Sequence, residues 1–180
     1  MRITKENTAA LVIDLQEKLV PVMKGQEALL SQSKILIEGL QELGIPLIVT
    51  QQYSKGLGET VDPVRSAIKN FCPFEKRAFS CLDEETVMAA LKKAEAKKVI
   101  LCGIESHICV LQTAVDLKEA GYIPVVVMDC VSSRSRHSTD LATERFLHEG
   151  ILMTSCESIL FELTRSSKTP EFKAISKLLK

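Results

Sequence analysis

The 180-residue chain has no tryptophan, and tyrosine and phenylalanine bring its aromatic content to only 4%. Sparse aromatics leave little on which nucleobases could stack. Charge of one sign is not in excess either. Lys and Arg number 23, Asp and Glu number 23, and the formal charge is zero. Nucleic-acid and membrane-surface roles need a basic excess, so neither is expected. No apolar run is long enough to span a bilayer, and MRITKENTAALVIDLQ has no signal-like core. The chain reads as a cytoplasmic protein. Its six cysteines, at 72, 81, 102, 109, 130 and 156, include no C-x-x-C pair. That spacing suggests no zinc knuckle and no redox dithiol, and most of the thiols should be reduced and structural. No G-x-G-x-x-G or G-x-x-x-x-G-K-[ST] follows a strand, which speaks against a nucleotide-binding fold.

What remains is an alternation of apolar runs and helical patterns. Thr8 to Asp14, Ile45 to Thr50, Lys97 to Cys102, Ile123 to Met128 and Ile151 to Thr154 read as strands. Their near-continuous hydrophobicity suits strands covered on both faces. Helices are expected over Gln26 to Leu43, Asp83 to Ala94, His107 to Ala120, Thr139 to His148 and Cys156 to Thr164. Strand and helix in turn imply a three-layer α/β/α fold around a mainly parallel sheet, in one domain over 1–180. The tail from Ser166 reads as a loop and a short amphipathic helix, suited to packing or oligomerisation.

Chemistry concentrates around KVILCGIESHICVLQTAV, residues 98–115. A strand, the break at Gly103, a polar turn and a helix start put Cys109 where α/β sheets hold ligands. The positive helix end would favour its thiolate, although Cys is equally at home as a small buried hydrophobe. Asp14 would stand at the carboxyl end of the first strand, as a site carboxylate or as a helix cap. In FCPFEKRAFSCL either cation of the pair Lys76–Arg77 could point inward, or both could be solvated. The loop QQYSKGLGETVDP, 51–63, suits a pocket rim or an ordinary surface loop. A carboxylate, a lysine and a thiol in one place would make a nucleophile with its base.

These words together are more specific than their spacing. VIDLQEKL at 12–19, TQQYSKGLG at 50–58, KRAFSCL at 76–82, GIESHICVLQTAVDLKEAGY at 103–122 and VVVMDCVSSRS at 125–135 resemble the isochorismatase-like (cysteine hydrolase) superfamily. The likeness is to its small branch of YcaC-like and isochorismatase-domain proteins, and it spans residues 8–165. It implies an isochorismatase-like (Rossmann-like) fold and a catalytic triad of Asp14, Lys76 and Cys109. It further implies a cis peptide at Ile104–Glu105 and an oxyanion site from the N–H groups of Glu105 and Cys109. Gln16, Gln52, Tyr53, Phe79 and His107 are the candidates for substrate contact. Nicotinamidases of the superfamily hold a metal through an Asp and two His after the second strand. This chain has Gln51, Gln52 and Tyr53 there, so no metal and no cofactor is expected. Isochorismatases proper do without the cysteine, so Cys109 points to hydrolysis of an amide or related C–N bond of a small molecule, through a thioester. The resemblance also implies a homo-oligomer, a dimer, tetramer or larger. The alternative is a binding or scaffold protein that keeps the fold without turnover.

Overall fold

The computed structural model describes residues 1–180. Six strands form one sheet: β1 (Thr8–Ile13), β2 (Leu47–Gln52), β3 (Phe74–Lys76), β4 (Lys98–Ile104), β5 (Ile123–Ser132) and β6 (Leu152–Thr154). The order is β3-β2-β1-β4-β5-β6, and every pairing is parallel. Eight helices accompany them: α1 (Gln26–Glu42), α2 (Ser54–Leu57), α3 (Asp62–Arg65), α4 (Glu85–Lys93), α5 (Leu111–Glu119), α6 (Arg136–His148), α7 (Cys156–Thr164) and α8 (Phe172–Leu178).

Strand periodicity divides the core in two. Ala10 and Val12 of β1 face the α1, α7 and α8 side, with Leu36, Ile37, Ile159 and Ile175. Ala9, Leu11 and Ile13 face the α4, α5 and α6 side, with Val87, Leu91, Ala114 and Phe146. Both faces of β1 are thus dry, which explains its unbroken apolar run.

Several elements depart from expectation. Strand β3 was not expected; Phe-Glu-Lys is short and charged, and its pairing with Thr50–Gln52 makes it a strand. The helix expected from Asp83 starts at Glu85, because Ser80 caps a separate 3-10 turn over Cys81–Asp83. The tail helix α8 packs on α1 and α7 of its own chain, with Ile175 fully buried and Lys5 paired to Glu171 at 2.8 Å. That apolar side of α8 is therefore occupied within the chain.

The chain runs outward from β1 to β2 and β3, then returns to place β4 on β1's other side. Such a reversal opens a crevice at the carboxyl ends of the two central strands. In this register Ile13 lies beside both Thr50 and Gly103, and Gln52 lies beside Lys76.

Candidate active site

Asp14 follows β1 in a left-handed conformation (φ 51°), a turn that short polar side chains tolerate. Its carboxylate is 1% exposed. One oxygen, Oδ1, accepts the Thr50 hydroxyl at 2.7 Å. The other, Oδ2, lies 2.8 Å from Lys76 Nζ, an ion-pair contact without an aligned hydrogen bond. Oδ2 thus keeps a lone pair for a further donor.

Lys76 ends β3, and its side chain is fully buried. It crosses the end of β2 to reach Asp14, and donates to Gln52 Oε1 (2.5 Å), Ala78 O (3.0 Å) and Cys109 Sγ (3.6 Å). The following loop is pinned by Glu84, which accepts from the N–H groups of Arg77 and Ala78. Of the two adjacent cations, then, Lys76 points inward. Arg77 lies outside, its guanidinium 3.9 Å from the centre of the Tyr53 ring.

Cys109 sits in a π-helical turn, Ser106–Val110, that leads into α5. The peptide bond between Ile104 and Glu105 is cis. Glu105 O accepts from the N–H groups of Ile108 and Val110, and the second bond, spanning five residues, winds this turn wider than an α-helix. At Gly103 (φ 120°) the strand end meets β1 so closely that a Cβ would fall 2.0 Å from Ile13 O.

Burial is the largest single influence on all three groups. It raises the Asp14 carboxyl above its ordinary value, against the opposing pull of Lys76. It would lower Lys76, but the charges of Asp14 and Cys109 outweigh it and the ammonium is held firmly protonated. The Cys109 thiol is pushed up to about 12 by burial and then by the Asp14 charge, with Lys76 pulling the other way. Desolvation beside an anion thus opposes the pull toward thiolate that the start of a helix exerts.

Asp14 and Cys109 open onto a cavity of about 280 Å³, lined also by Leu19, Gln52, Leu57, Phe79, Ile104, Glu105, Ile108 and Arg134, with Lys76 buried behind them. Of the candidate substrate contacts, Gln52 and Phe79 are on its wall. Gln16 is not. It is fully buried, its amide donating to Gln52 O and Gly58 O and accepting from Gln52 N, so it fastens the 52–58 loop behind the site. Tyr53 is also displaced, packing beneath Arg77 and against Gly56. His107 turns to Ser133 Oγ at 2.9 Å, as a side chain two places from Cys109 must point elsewhere. The residue that sequence reasoning missed is Arg134. Its run SSRSRHS reads as a solvated loop, and only the length of β5 brings it to the cavity. No group of three or more His, Cys, Asp or Glu is placed to hold a metal ion.

Comparison with known proteins agrees with this architecture. Residues 8–158 match the family model described as isochorismatase domain. The secreted isochorismatase effector Isc1 of Phytophthora sojae is 36% identical, over 99% of this chain and 87% of its own. Isochorismatase domain-containing protein 2 of Danio rerio is 35% identical, over 99% and 89%. Among solved structures, the MAR1 ribonuclease of Caenorhabditis elegans superposes with a TM-score of 0.94 at 39% identity, over 99% of this chain and 92% of that one.

Proposed function

Since the chain belongs to the isochorismatase family and is a hydrolase of that family, we propose that it hydrolyses an amide or related C–N bond of a small molecule, with Cys109 as nucleophile. One observation carries this reading: Lys76 Nζ stands 2.8 Å from Asp14 Oδ2 and 3.6 Å from Cys109 Sγ, and both of those partners line a cavity. Asp14 takes the thiol proton at Oδ2 as sulfur attacks the carbonyl carbon and forms the C–S bond. The raised carboxyl is a stronger base than a solvated one, which suits a thiol that starts neutral. Lys76 balances the charge that moves between carboxylate and sulfur. The N–H groups of Glu105 and Cys109 are the proposed donors to the oxyanion. Collapse breaks the C–N bond, and the leaving amine takes the proton from Asp14. Water then attacks the thioester, giving one proton to Asp14, which returns it to sulfur as the C–S bond breaks. The sum is amide plus water to acid plus amine.

A small-molecule substrate fits the zero formal charge and the modest cavity, which lies at the small end of ligand pockets. Ribonuclease is the name of the C. elegans relative, and an extended polyanion finds no basic track in this composition. No helix is long and apolar enough to cross a membrane. A cytoplasmic, homo-oligomeric enzyme without metal or cofactor completes the proposal.

The test is acid-quench mass spectrometry during turnover of a panel of small amides, with labelled RNA as a parallel substrate. An acyl mass on the Cys109 peptide, absent in Cys109→Ser and Asp14→Asn, is expected, with the RNA left intact. Amide turnover that survives in Cys109→Ser would overturn the mechanism.

A further inference from the structure

The cavity is chemically lopsided. Its floor holds Asp14 and Cys109, and much of its wall is apolar, including Leu19, Leu57, Phe79 and Ile108. Arg134 is the only cation on that wall, since the Lys76 ammonium is buried beneath the floor. Its arrangement is more than that of a loose surface arginine. Glu105 Oε2 accepts from both the backbone N–H and the Nε–H of Arg134, each at 3.1 Å, and Oε1 is 3.1 Å from Nε. Glu105 is itself 8% exposed and sits at the entry to the Cys109 turn. The guanidinium is therefore clamped along its Nε edge to a nearly buried carboxylate. Its two terminal amino groups make no hydrogen bond within the chain, and the side chain is 62% exposed. Two parallel N–H donors, fixed beside a cavity and unpaired, match the geometry of a carboxylate.

We propose that Arg134 is the specificity-determining residue of this site, and that it selects substrates in which an apolar spacer separates the scissile amide from a carboxylate. This rests on the hydrolase reading for the amide end, but the anion preference is independent of turnover. A cationic substrate would meet the guanidinium, whereas Glu105 is already saturated by Arg134. An uncharged amide would fill the apolar wall and leave the two donors to water.

Three probes of equal carbon length separate these cases: succinamate, butyramide and 4-aminobutanamide. Calorimetry on Cys109→Ser protein reads binding without chemistry, and ammonia release from the native enzyme reads turnover. Succinamate should bind about tenfold or more tighter than butyramide, the range a charge-assisted pair supplies. Arg134→Gln should abolish that difference and raise KM for succinamate far more than for butyramide. Equal binding of the three probes, or an equal loss for all three in Arg134→Gln, would overturn the proposal. Anion-selective binding with no amide turnover would instead uphold Arg134 and count against the amide hydrolase reading alone.

Discussion

At Cys109 the surroundings favour the neutral thiol, so in the proposed mechanism the proton leaves only as substrate is engaged. The reason is local: burial first, then the Asp14 carboxylate, raise the thiol to about 12, and Lys76 only partly compensates. A counter-intuitive result follows for alkylation. In the native protein, iodoacetamide labelling of Cys109 should stay slow through neutral pH and climb only toward the strongly alkaline range. Asp14→Asn removes the repelling charge and leaves the Lys76 attraction, so the thiolate forms at lower pH and labelling becomes faster while turnover is lost. Peptide mass spectrometry across a pH series reads both proteins. A slower Asp14→Asn curve would mean that the carboxylate activates the free thiol, and would refute the assignment of a neutral resting pair.

At the scale of elements, the site depends on how tightly β4 approaches β1. Gly103 lies beside Ile13 in register, and the space for its Cβ is taken by the Ile13 carbonyl. Gly103→Ala should cost on the order of 4 kcal/mol, the size reserved for backbone collisions in a core. Gly121→Ala is the control: its φ is also positive (84°) but nothing lies within 4 Å, so only about 1–2 kcal/mol of conformational penalty is due. Denaturant midpoints of the two variants measure the contrast, and equal losses would remove the close approach as the cause. The strands themselves were legible because β1, β2, β4 and β5 are apolar on both faces. Strand β3 was hidden because its three residues gain their identity from Thr50 to Gln52 next door. The wider turn at Cys109 was equally hidden, since it arises from the Val110 N–H reaching back five residues to Glu105 O. Asp14 and Cys109 were candidates from their places after strands, and family words joined Lys76 to them; no periodicity could have shown that a lysine would lie fully buried across a strand end. Arg134 escaped because polar runs look alike until a sheet fixes where they stop.

For the whole molecule, the chain's two ends are held on one face. Lys5 pairs with Glu171, and Ile3 N–H donates to Glu162 at 2.7 Å beside α8. The last helix is thereby part of the core, and Ile175→Ala should lower stability by about 2–5 kcal/mol through the cavity it leaves. Thermal unfolding checks this, and a change under 1 kcal/mol would mean that α8 is an appendage. The reversal of strand order has a wider meaning. The ionic centre hangs on the ends of β1 and β3 and on the turn after β4, whereas the cavity wall comes from loops and helix starts: Leu19, Leu57, Phe79, Arg134. Much of the wall is thus written in parts of the chain other than those that hold the ionic centre. Substitutions at Leu19, Leu57, Phe79 or Arg134 can therefore reshape the cavity while leaving the buried Asp14–Lys76 pair in place.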